Sequence, residues 1–166
     1  MLSKHHKQYI IKHFVIAAAL INAVINTAIG YMLFSGQEQI PVWGDPSLGV
    51  DIIATTFLLT AITSWLVGWS VGLALLYSRV EPIEAKGFGA AIVGRLPTGA
   101  WPRALLFGLV ASCSIAPVVL YVLHVLAIQS LAPLSAVLFK TVFSVVLGLL
   151  LTPLVGVLAL CDKPEK

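Results

Sequence analysis

Few side chains in this 166-residue chain can do chemistry, and most of them stand among apolar neighbours. Lys140 is the most conspicuous, the single cation in the run "SAVLFKTVFSVVLGLLLTP". Its nearest candidate counter-charge is Asp51, the only acidic residue of the apolar segment "GVDIIATTFLLT". An ammonium held in apolar surroundings has three uses. It can snorkel its head to the nearest polar interface, settle into an ion pair, or handle a proton or a charged substrate. Asp51 suits the second and third of these, because a carboxylate is also favoured in the first turn of a helix.

Other polar residues accompany the pair. His124, Asn22, Asn26, Thr27, Thr56 and Thr60, with Tyr31 and Tyr121, could line a polar vestibule at one end of a helical bundle. Alone, His124 reads as an interfacial histidine; beside Lys140 and Asp51 it could respond to pH. Asn26 fits the role of a hydrogen-bonding packing residue, worth only about 0.6 kcal/mol in a membrane bundle. For Asn22 both packing and solute contact stay open.

Catalytic patterns are missing. The sequence holds no HExxH, no serine-histidine-acid set and no pair of carboxylates within an apolar segment, so an enzyme is not expected. Gly87, Gly89, Gly94 and Gly99 match neither a dinucleotide nor a phosphate loop, and no cofactor is expected. Cys113 and Cys161 lack any CxxC or metal-ligand spacing and read as free apolar cysteines, with no metal site. His5, His6 and His13 belong to a basic N-terminal arm.

The elements that must position these residues follow from composition. The chain is 59% hydrophobic and only 10% charged, against roughly 25% charged in an average soluble domain. A bilayer span takes about 20 apolar residues, and four spans are expected, over 13–34, 49–77, 104–125 and 133–160, with a connecting loop over 78–103. The first is too long for a signal-peptide core, which runs about 7 to 15 residues, and is read as a mature helix. The fold class is therefore all-α: one four-span transmembrane domain, a compact helical bundle.

Charge gives its orientation. Nine of the ten Lys and Arg residues, all but Lys140, flank one side: Lys4, Lys7 and Lys12, then Arg79, Lys86, Arg95 and Arg103, then Lys163 and Lys166. The connectors "SGQEQIPVWGDPS" and "AIQS" contain none. The positive-inside rule puts both termini in the cytoplasm, as for a multi-pass protein of a bacterial inner membrane. The net charge of +3 reflects that topology and not nucleic-acid binding. Lys86, Arg95 and Arg103 are candidates to meet lipid headgroups.

Every span carries small or polar residues at a spacing of four, the pattern by which membrane helices approach closely. Asn22, Asn26 and Gly30 mark the first; Thr56, Thr60, Ser64, Gly68 and Gly72 the second; Gly108 and Ser112 the third; Lys140, Ser144, Gly148, Thr152 and Gly156 the fourth. Lys140 thus shares the face expected to meet other helices. Gly68 and Gly72 form a GxxxG that could serve a homo-oligomer, and Trp65 and Trp69 are expected to form an outward ridge facing lipid or a second subunit. Pro117 and Pro153 fall inside the last two spans, where broken helices could expose backbone carbonyls. The in-out-in path repeats in the two halves of the chain, which suggests a parallel internal duplication.

These features point to a small integral membrane protein acting as a transporter or channel subunit for an unidentified solute or ion. The alternative is a non-transporting scaffold or accessory subunit whose polar stripes serve helix packing.

Overall fold

A computed structural model of the chain describes residues 14–83, 88–97 and 99–161. Its regular secondary structure is helical except for one ribbon of two two-residue strands. Helix α1 spans Ile16–Phe34, α2 Leu48–Leu76, the short α3 Phe88–Val93, α4 Ala100–Val125 and α5 Pro133–Leu160. Strands β1 (Ile40–Pro41) and β2 (Ser130–Leu131) pair antiparallel, Ile40 opposite Leu131 and Pro41 opposite Ser130. Four of the helices are long and apolar enough to cross a membrane, which suggests a multi-pass membrane protein. At 1.5 Å per residue, α1 with its 19 residues measures about 28 Å and α2 with its 29 about 43 Å.

Local chemistry sets the helix ends. Ser47 caps α2, its hydroxyl accepting the Val50 amide at 3.1 Å, and Pro133 starts α5, where its missing N–H costs nothing. Helix α4 begins about a turn earlier than its hydropathy suggests. Gly99, with φ of 95°, turns the chain, and Trp101, Pro102 and Arg103 form the first turn rather than a loop. Both Pro117 and Pro153 lie within continuous helices, so neither α4 nor α5 is a broken helix in the sense the sequence allowed.

The ribbon joins the α1–α2 and α4–α5 connectors at one end of the bundle, called here the ribbon face; the other end is the terminal face. Helices α1 and α4 run toward the ribbon face, and α2 and α5 return. The principal contacts are α1 with α5, α2 with α4, and α2 with α5. Exchanging the two halves of the chain leaves this pattern unchanged, as a parallel duplication would require.

Small residues make those contacts. A Cβ on Gly108 would stand 3.0 Å from the Phe57 carbonyl oxygen and 3.1 Å from the Ala61 methyl, so glycine there sets the α2–α4 approach. Gly30 and Gly148 do the same between α1 and α5. Gly72 is different, since nothing in the described chain lies within 4 Å of an added Cβ. Trp65 stacks on Trp101, ring centroids 4.9 Å apart, so it joins α2 to α4 and only Trp69 is exposed as a ridge.

The apolar core comes in two pieces. Near the ribbon face Phe34, Ile40, Val42, Leu48, Ile52, Ala116, Leu123, Ala136 and Val137 cluster together. Toward the terminal face a second cluster joins Val67, Val71, Ala74, Leu75, Val80, Val155, Ala159 and Leu160, and the Ile83 amide closes it by donating to the Leu160 carbonyl at 2.8 Å.

Candidate functional site

Between the two clusters lies a polar layer. Reading down α2 from the ribbon face, Ile52 belongs to the first cluster and Val67 to the second, and the buried residues between them include Thr55, Thr56, Thr60, Thr63 and Ser64. On α5 the interval between Val137 and Val155 holds Lys140, Ser144, Gly148 and Thr152, all buried. Helix α1 adds Asn26 and Gly30, also buried, and Asn22. The apolar residues Leu59 and Leu147 fill part of the same layer.

Lys140 stands at its ribbon-face edge. Its side chain is 3% exposed, and its Nζ donates to Asp51 Oδ1 and, at 2.7 Å, to Thr55 Oγ1. Asp51 is 10% exposed and occupies the first turn of α2, where the helix dipole also favours its charge. The stem of Lys140 crosses Gly30, its Cδ 3.1 Å from where a Cβ would stand. A lysine seven residues past Pro133, about 10 Å along the helix, could have reached the interface. The bundle turns it inward instead, because its row of small residues packs on α1 and α2.

Thr55 is the partner that sequence spacing around Lys140 did not supply. It stands four residues after Asp51, one turn along the same helix face, so carboxylate and hydroxyl approach the ammonium together. Thr56, singled out in the sequence, instead donates to the Ile52 carbonyl at 2.6 Å and is fully buried.

Below the ion pair several polar atoms have no partner. Thr60 Oγ1, Ser64 Oγ and Thr152 Oγ1, and the amide nitrogen of Asn22, are buried and unpaired. The Asn22 nitrogen packs into the space that a Cβ of Gly148 would fill, 2.5 Å from that position. Asn26 donates to the Asn22 carbonyl at 3.1 Å within its own helix, and Ser144 donates to the Thr141 carbonyl at 2.9 Å. A cross-helix link ties Thr27 to Thr141, hydroxyl to hydroxyl at 2.8 Å. On the other side of the bundle, Ser112 reaches the Ile53 carbonyl at 3.4 Å, and Gly156 is buried in α5.

His124 does not join the pair. It is exposed and lines a cleft of about 310 Å³ at the ribbon face with Val42, Trp43, Leu120, Ile128 and Gln129. Tyr31 and Tyr121 are exposed as well. The vestibule expected of Asp51, His124 and Lys140 together is thus two separate features, a buried ion pair and an open cleft. The reason is lateral: His124 sits on α4, whose main partner is α2, while Lys140 faces α1 and the opposite side of α2.

At the terminal face, Arg95 is exposed and Arg103 is half-buried, donating to the Pro97 carbonyl at 3.3 Å. Lys86 and the basic N-terminal arm with His5, His6 and His13 lie outside the described residues.

An ammonium, a carboxylate and a hydroxyl in one contact can clamp two helices or pass a proton between oxygen and nitrogen. Which use applies is not settled by kinship, because no known protein family, no curated protein and no solved structure matches this chain.

Proposed function

We propose that this chain is a small multi-pass membrane protein that moves a small solute or ion across a bilayer, as a transporter or channel subunit, with Lys140 and Asp51 at its working site. One observation carries the reading: a buried ammonium is paired with Asp51 at the level of the ribbon-face cluster, directly above a buried polar layer that the terminal-face cluster closes. Ionisable residues within spans are costly, at least about 2.5 to 3.5 kcal/mol each, and they mark ion and substrate pathways more often than plain packing. That layered order suits a site approached from the ribbon face and closed toward the terminal face.

The charge distribution supports a ribbon face turned outward and termini in the cytoplasm, in a membrane of the bacterial inner type. Four helices enclose little space, so a homo-oligomer built on the open Gly72 and exposed Trp69 side of α2 would help form a path. The second reading, a scaffold or accessory subunit, has its own support, since Lys140 and Asp51 satisfy each other and tie α2 to α5.

Reconstitution into liposomes separates the two. Fluxes of proton, sodium, potassium and chloride are compared for the native chain and for Lys140→Met and Asp51→Asn, with size-exclusion elution and circular dichroism as checks on assembly. Loss of a flux in well-assembled variants is the expected result. A native chain without any Lys140-dependent flux leaves the scaffold.

A further inference from the structure

We infer that the ion carried is the proton, and that the polar layer holds a short file of water molecules between the Lys140–Asp51 pair and the apolar cluster at the terminal face; the inference rests on the transport reading above. Three buried hydroxyls and one buried amide nitrogen there have no protein partner: Thr60, Ser64, Thr152 and Asn22. Buried polar atoms in folded proteins are paired with protein or with water. Thr60 and Ser64 are four residues apart on α2, a rise of about 6 Å. Two hydrogen bonds of about 2.8 Å each span nearly that length, so one water reaches both hydroxyls. Thr152, on α5, which runs parallel to α2, continues the row about one turn beyond Ser64, and Asn22 packs from α1 into the gap left by Gly148.

The chemistry of the layer selects the ion. Asp51 is already neutralised by Lys140, so a metal cation would meet an ammonium and an anion would meet a carboxylate. Every other polar side chain of the layer among the described residues is a neutral hydroxyl or amide. Among the described residues packed around the pair, α1 contributes Asn22, Asn26 and Gly30, none of which titrates. On α4, Arg103 is held at the Pro97 carbonyl and His124 stands in the cleft. Among the described residues, Asp51 and Lys140 are thus the charged side chains that meet at the layer.

The relay conserves charge. A hydronium arriving from the ribbon face protonates the Asp51 carboxylate, leaving water and a neutral acid, which frees Lys140. The Lys140 ammonium gives a proton to the adjoining water, forming hydronium in the file and a neutral amine. Asp51 then passes its proton to the Lys140 amine, possible because the two share a hydrogen bond, and the carboxylate–ammonium pair is restored. One proton has entered from one side and one has left toward the other. Val67, Val71, Val155 and Ala159 close the file at the terminal face and set the barrier that the proton must pass.

The test uses the full chain in liposomes loaded with a pH-sensitive dye, under a potassium-clamped potential and an imposed pH gradient. Wild-type protein is expected to collapse the gradient, and Asp51→Asn and Lys140→Met to abolish this. Thr60→Val with Ser64→Ala and Thr152→Val removes the hydroxyls and should slow it by about tenfold, one hydrogen bond's worth of barrier. The conservative pair Thr60→Ser and Thr152→Ser should retain it, which guards against a folding artefact. Val155→Ser, which wets the closing cluster, should speed it. A Lys140-dependent flux of sodium, potassium or chloride without proton flux overturns the proton assignment and leaves the transport reading standing. Absence of any Lys140-dependent flux overturns both. Proton flux undiminished in the triple variant overturns the water file.

Discussion

The stability of the Lys140–Asp51 contact can be worked out from its burial, with outcomes that differ sharply between variants. Asp51→Ala removes the carboxylate and leaves an ammonium only 3% exposed with a single neutral acceptor, Thr55, at 2.7 Å. Stranding one member of a buried pair costs about 3–5 kcal/mol. Lys140→Met strands Asp51 instead, which is more exposed at 10% and sits in the first turn of α2. The helix dipole offsets part of its loss, by about 0.3–1 kcal/mol, so this variant should be the milder of the two. The double variant Asp51→Ala, Lys140→Met strands nothing and should lie close to the native chain, since replacing a buried pair by apolar groups is often neutral. Reversible unfolding in mixed detergent micelles, followed by circular dichroism, measures all four proteins. The reasoning is refuted if the single effects add to within about 0.5 kcal/mol, the behaviour of independent sites.

Other predictions follow from the close approaches. Gly108→Val drives side-chain atoms into the Phe57 carbonyl and the Ala61 methyl and should destabilise the fold by about 1–3 kcal/mol. Gly72→Val meets open space and should change unfolding of the isolated chain by no more than about 0.5 kcal/mol; a drop in oligomer mass with unchanged unfolding would place a second copy there. Gly148→Ala crowds the Asn22 amide, and adding Asn22→Ala should recover the lost stability; lack of recovery in the same unfolding assay counts against this contact. Trp65→Ala should remove a stacking contribution of about 0.5–1.5 kcal/mol beyond its area, and Trp101→Ala in the Trp65→Ala background should cost correspondingly less.

Much of this was legible in the sequence for a definite reason. The spacing Ala136, Lys140, Ser144, Gly148 is a property of one helix, and a single periodicity shows which residues share a face. It therefore put Lys140 on the face that meets other helices and made Asp51 its counter-charge, as the only acidic residue close to the outer half of any span. Thr55 was within reach of the same argument, lying four residues after Asp51, but the threonine row beginning at Thr56 drew attention to the neighbouring face. What could not be read was which helix packs on which. The separation of His124 from the ion pair, the turn of Gly72 away from the bundle and the stacking of Trp65 on Trp101 all depend on lateral neighbours, about which one helix's periodicity says nothing. The ribbon was hidden for another reason: its strands are two residues each, too short for any alternating pattern.

The partner choice of α1 bears on how the molecule is made. Its main contacts are with α5 and those of α4 are with α2, so the first hairpin, α1 with α2, has little interface of its own among the described residues. When these two helices leave the ribosome, neither the counter-charge for Asp51 nor the seat for Gly30 exists yet. Helix α2 can pack on α4 as soon as that helix is made, whereas α1 must wait for α5, whose lysine then completes the bundle. A chain stopped after α4 should accordingly be handled by membrane quality control as an orphan, even though three of its four long helices are present.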